Sequence, residues 1–175
     1  VNNPEGKGPD LYGPFWITIT LIFFLAVTSN MHLYFHTTDE AFEADIFHLI
    51  HSTWILCTYA FLLPTVLFIT FRCFAIQLPL MELVCLYGYS LVPYFPASLL
   101  LLVPAEWFEW IVLLVATGVS GLLVLRNVAG PILSSDTSQQ KSGPLIVCVM
   151  VCHLIFFLTL KFTFYRSHKH KQSTE

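Results

Sequence analysis

The sequence predicts an all-α fold: a polytopic membrane bundle of five transmembrane helices. Three observations carry this. Of the 175 residues, 56% are hydrophobic and only 11% are charged, against roughly a quarter charged in soluble domains. A globule of this length with so few charges could not cover its surface. The apolar residues also stand in long blocks, and five blocks approach the ~20 residues that a bilayer core about 30 Å thick requires.

Residues 1–14 form a polar, Gly/Pro-rich lead ending in Pro14, which suits a first helical turn because its missing N–H does no harm there. The first span is expected over residues 15–35; its last turns hold Asn30 and His32. Residues 36–51 read as a loop or interfacial helix carrying Asp39, Glu40, Glu43 and Asp45 without Lys or Arg. The second span covers residues 52–71 and ends at Arg72, with Pro64 expected to kink it by removing a backbone bond. The third covers residues 80–103. It contains Glu82, then Tyr87-Gly88-Tyr89-Ser90, then Pro93 and Pro96, so it should be bent or locally unwound. That is tolerated in a bilayer only where neighbours or water satisfy the freed backbone groups, which places this span centrally.

Pro104 to Glu106 makes a tight turn, followed by the interfacial aromatics Trp107 and Trp110. The fourth span is expected over residues 108–125 and ends at Arg126. Its small residues Ala116, Thr117, Gly118, Ser120 and Gly121 let helices approach closely, within the chain or between chains. Residues 128–143 read as a polar loop and the fifth span as residues 144–164, with a basic tail at 166–175. We read the whole as one bundle, with no second domain.

Composition also bounds function. A formal net charge of −3 is too small to argue for a nucleic-acid partner. The five cysteines form no CxxC pair, so neither a zinc nor a disulfide framework is indicated, although Cys73 beside Arg72 is a palmitoylation candidate. No cleavable signal peptide and no glycosylation acceptor are read.

With five spans, the N-terminus and the second and fourth loops share one side, which holds Lys7, Arg72, Arg126 and Lys141. The positive-inside rule puts that side in the cytosol. Five spans then send the basic tail across the membrane; either it is a tolerated exception or the span count is even. The five-span layout is the one adopted.

Glu82 is the sharpest single candidate, because a carboxylate in a membrane helix costs several kcal/mol unless paired, protonated or near the interface. A cap or interhelical ion pair and a partner-binding or transport role both remain open for it. His32 and His36 are four apart and His48 and His51 three apart, so each pair would share a helix face. With the acids between them, three roles are open: solvated span ends, a pH-sensitive loop, and a metal site, for which the spacing is no strong signature. No nucleophile–base pairing, phosphate loop or hydrolase elbow appears, so no enzyme is expected.

Two strings add to this reading. Asp10-Leu11-Tyr12-Gly13-Pro14-Phe15-Trp16 opens the first span, and Glu82-Leu83-Val84-Cys85-Leu86-Tyr87-Gly88-Tyr89-Ser90 opens the third. Together they resemble the DLYGP signature and YGYS-type element of the Yip family, the Ypt/Rab-interacting multispan proteins of the early secretory pathway, in its Golgi-type form. The resemblance covers essentially the whole chain. It implies a cytosolic N-terminus, a lumenal C-terminus, Golgi or ER membranes, and roles in vesicle formation and Golgi organisation. It implies Rab-type small GTPases and a second Yip-type membrane protein as partners, with no cofactor and no catalysis. Asp10, Leu11, Tyr12, Gly13, Pro14, Glu82, Tyr87, Gly88 and Tyr89 are the residues it points to for partner binding.

Family members carry a longer segment before the first string, so the lead is expected to be truncated. The tail does not match a dilysine retrieval signal, since Lys169 and Lys171 lie too far from Glu175. The strings also have an architectural reading: Asp10 caps a helix start, Gly13-Pro14 fixes the entry angle, and Tyr12 and Trp16 sit at headgroup level. A small carrier, channel or lipid-handling protein using the kinked third span and Glu82 is the alternative to a trafficking scaffold.

Overall fold

The structure is a computed structural model, and it describes residues 10–36, 45–74, 76–103, 105–134 and 142–164. Seven α-helices and one π-helical turn make up these residues, with no strand among them: α1 (Tyr12–His36), α2 (Phe47–Cys57), the π turn (Thr58–Leu62), α3 (Leu63–Cys73), α4 (Leu80–Tyr89), α5 (Tyr94–Leu100), α6 (Glu106–Ser134) and α7 (Ser142–Phe164). They assemble into five stretches long and apolar enough to cross a membrane: Tyr12–Phe35, Phe47–Cys73, Leu80–Leu100, Trp107–Leu133 and Gly143–Thr163.

Two spans are irregular, and both irregularities follow from proline. Pro64 lacks an N–H, and its ring would strike the carbonyl four residues back. The second span absorbs this by widening into the π turn just before Leu63-Pro64, so the helix passes Pro64 with that proline buried in the bundle. The third span breaks between α4 and α5 at Ser90–Pro93. There the N–H groups of Leu91, Val92 and Tyr94 turn to the carbonyls of Gly88, Tyr89 and Leu91, three residues back, so the break leaves few backbone groups open.

The core is one apolar cluster running through all five spans, including Leu21, Leu56, Phe71, Leu83, Tyr87, Leu91, Val124 and Leu160. Phe23, Trp54, Leu62, Leu114, Leu122 and Ile155 face outward, as expected of side chains that meet lipid. Asn30 ties α1 to the start of α2: its Nδ2 donates to the Asp45 carbonyl (3.2 Å), and its Oδ1 accepts from the Asp45 N–H (2.7 Å).

Three helices run longer than the sequence led us to expect. α6 continues to Ser134 through Gly130-Pro131, where the span is expected to end at residue 125 and a polar loop to occupy residues 128–143. Val128 and Ile132, four apart and both buried, hold the added turns against the bundle. α1 continues to His36, and α2 starts at Phe47 rather than at residue 52. His48 and His51 thus belong to the first turns of a spanning helix. Asp39, Glu40, Glu43, residues 135–141 and the basic tail lie outside the described residues.

Candidate functional site

The first candidate site is the meeting of the two sequence strings. Asp10 precedes α1, and its Oδ1 accepts from the Tyr12 N–H at 2.9 Å, satisfying a donor that the helix start leaves free. The helix then enters against α4. A Cβ added to Gly88 would stand 2.4 Å from Pro14 Cβ and 2.9 Å from Pro14 Cα, and one added to Gly13 would stand 2.4 Å from the Tyr89 hydroxyl. The Cys85 thiol donates to the Asp10 carbonyl at 3.5 Å. Each string therefore contributes a glycine that makes room for the other. Both glycines sit in helices, and what they supply is the missing side chain.

Around this joint the motif residues divide by direction. Pro14, Tyr87 and Gly88 are buried and Leu11 is half-buried, whereas Asp10, Tyr12, Trp16, Glu82 and Tyr89 face outward. Tyr12 and Trp16 meet edge to face with centroids 6.0 Å apart. Glu82 stands in the first turn of α4, where a carboxylate complements the helix dipole, and it is exposed rather than directed into a cavity.

The second feature is a polar network at mid-span. Tyr59 Oη lies 2.9 Å from His153 Nε2, 3.0 Å from Ser90 Oγ and 3.2 Å from Ser120 Oγ. All four residues are buried, and each sits at or within one residue of the middle of its span. His153 Nδ1 lies 3.0 Å from the Val149 carbonyl, which can only accept. Nδ1 therefore carries a proton, and in the neutral form of the ring Nε2 is the acceptor for the Tyr59 hydroxyl. Tyr94 adds a separate bond, donating to Thr117 Oγ1 at 3.0 Å. Part of the small-residue patch of α6 is thus used inside the chain: Thr117 and Ser120 accept or share hydrogen bonds and Gly121 lies beside the His153 ring, whereas Gly118 faces outward.

The third feature is a buried ion cluster one turn from the opposite ends of α6 and α7. Glu109 of α6 pairs with Lys161 of α7, and its other oxygen lies 3.1 Å from His32 Nε2 of α1. All three residues are buried. Lys161 also lies over the Trp110 ring, 5.2 Å from its centroid.

The histidines do not form one cluster. His32 belongs to the ion cluster, whereas His51 is exposed and its Nδ1 lies 2.7 Å from the Phe47 carbonyl. The His36 side chain lies outside the described residues. His48 is half-buried on α2.

The comparison with known sequences decides the family. The Yip1 domain model matches residues 3–161. The chain belongs to the Yip1 domain family. A Yip1 relative in Dictyostelium discoideum, named Protein YIPF1 homolog, is 37% identical over 162 residues, covering 91% of this chain and 46% of its own length. This Yip1 chain thus spans about half the length of that curated relative. No solved structure matches it. Family and spans together make this a multi-pass membrane protein of a trafficking family.

Sequence reasoning missed Glu109, Lys161, Tyr59 and His153. A signal for the first two was present: a lone acid just inside one apolar block and a lone base just inside the end of the next, at matching depth on antiparallel spans. His153 at the middle of a 21-residue apolar stretch was a similar signal.

Proposed function

We propose that this Yip1 chain is a membrane scaffold of ER–Golgi vesicle trafficking and Golgi organisation. In this reading it sits in Golgi membranes, and in ER or vesicle membranes, with its N-terminus cytosolic and its C-terminus lumenal. Its partners are Rab-type small GTPases and a second Yip-type membrane protein, its sister-branch partner in a hetero-oligomer.

The observation that carries the reading is the glycine-cut joint between the two strings. Close packing of Gly88 on Pro14 holds α1 against α4, with Tyr89 lying beside Gly13, and the outward residues Asp10, Tyr12, Trp16, Glu82 and Tyr89 ride on that joint. A preorganised surface of aromatic and acidic residues is what a docking protein needs, because little ordering is left to be done on binding.

Glu82 is exposed at a helix start, and the mid-span polar groups of Tyr59, His153, Ser90 and Ser120 bond to one another. A substrate pathway would be expected to leave such groups facing a continuous polar cavity.

The test is co-purification from mild detergent, with the wild-type chain compared against a Tyr12→Ala/Glu82→Lys variant that folds and localises. Both changes are outward-facing. Recovery of Rab-type GTPases and a second Yip-type protein with the wild type, and their loss from the variant, is the expected outcome. Recovery of neither with well-folded wild-type protein would sink the reading.

A further inference from the structure

Two irregular helices meet at one hydroxyl. The π turn of the second span carries Tyr59, and the break of the third span begins at Ser90; the two side chains lie 3.0 Å apart. Ser90 Oγ is also 2.7 Å from the Tyr87 carbonyl. Ser90 has a single hydrogen, which either closes the helix break on that carbonyl or binds Tyr59. The Tyr59 hydrogen is committed to His153 Nε2, because Nδ1 is spent on Val149.

α7 packs along α6 and touches α2 sparsely. A cleft of about 430 Å³ opens between the second and fifth spans, with Trp54, Ile55 and Leu63 on one wall and Cys152, Ile155 and Thr159 on the other. Its floor is Tyr59 stacked on Phe156, with ring centroids 3.9 Å apart. Tyr59 therefore does two things at once: it closes the cleft floor, and through His153 it pins the fifth span to the second.

We propose that Tyr59 is a latch that holds the fifth span against the second across the membrane middle, and that its release widens the α2–α7 cleft towards lipid. His153 is the positioning residue of this latch, and Ser90 ties it to the break in the third span. Irregular turns are common where a membrane helix has to move, since their hydrogen bonds are already rearranged. Loss of a single hydrogen bond shifts a two-state ratio about fivefold.

The experiment measures the spacing of α2 and α7 in lipid nanodiscs by pulsed electron resonance. Spin labels are attached through a keto amino acid at the outward-facing positions Thr53 and Leu158, which leaves the native cysteines in place. The wild type should give a dominant short-distance population with a minor longer-distance one. Tyr59→Phe, which keeps the ring stack and removes only the hydroxyl, should raise a longer-distance population about fivefold. His153→Leu should do the same, while His153→Gln, which retains an acceptor, should restore the short distance. Tyr94→Phe removes a different buried hydrogen bond, to Thr117, and should leave the distribution unchanged. A Tyr59→Phe distribution identical to the wild type would overturn the latch. So would an equal broadening by Tyr94→Phe, which would mean general loosening, or a His153→Gln variant that behaves as His153→Leu.

Discussion

Gly88 packs its bare Cα against Pro14, so that a Cβ there would stand 2.4 Å from the proline Cβ and 2.9 Å from its Cα. The atoms it would meet are a ring and a backbone, and neither gives way easily. Gly88→Ala should therefore push α1 off α4 and cost about 1–3 kcal/mol, as overpacking does in tight cores. Thermal unfolding in detergent reads this as a lowered Tm.

Gly13→Ala meets a softer obstacle. The nearest atom is the hydroxyl tip of Tyr89, which is an exposed side chain with room to swing. Its cost should be smaller than that of Gly88→Ala. Adding Tyr89→Phe removes the closest atom, so the double variant should regain part of the lost Tm. An unchanged Tm in the double variant would count against the contact.

The Glu109–Lys161 pair makes the opposite kind of prediction. Neutralising one partner strips the other's buried charge of its main ion-pair partner, which costs up to about 3–5 kcal/mol. Glu109→Gln alone and Lys161→Met alone should both lower stability by this order. The Glu109→Gln/Lys161→Met double variant removes both charges and should recover most of the loss. A double-mutant cycle in chemical denaturation checks the coupling.

Gly118 provides the control. Nothing lies within 4 Å of the Cβ that an alanine would add there, and the residue faces outward from the middle of α6. Gly118→Ala should be neutral or should stabilise by up to about 1 kcal/mol through helix propensity. A loss as large as that of Gly88→Ala would mean that another helix packs on this face.

The sequence made the five spans legible because the bilayer permits few alternatives: block length alone specifies a helix where no water can satisfy the backbone. Pro93 and Pro96 announced the break in the third span for the same reason. Pro64 announced a disturbance, but not that a π turn would absorb it. The end of α6 was misjudged because Gly130-Pro131 reads locally as a stop, whereas the packing of Val128 and Ile132 decides it. The two strings were visible as motifs, yet nothing local indicates that Gly88 faces Pro14. Glu109, Lys161 and His153 each stood out as a lone polar residue inside an apolar block, but which of them meet was not legible, because only the packing of the spans brings their depths together.

The most direct test of the scaffold account is binding of a prenylated Rab-type GTPase to the chain in lipid nanodiscs. The account predicts saturable binding by the wild type. It also predicts a loss of about tenfold or more in Tyr12→Ala/Glu82→Lys, as for removal of interface hot spots, with the fold retained. Equal affinity of the two proteins, or no binding to a folded wild-type chain, would contradict it.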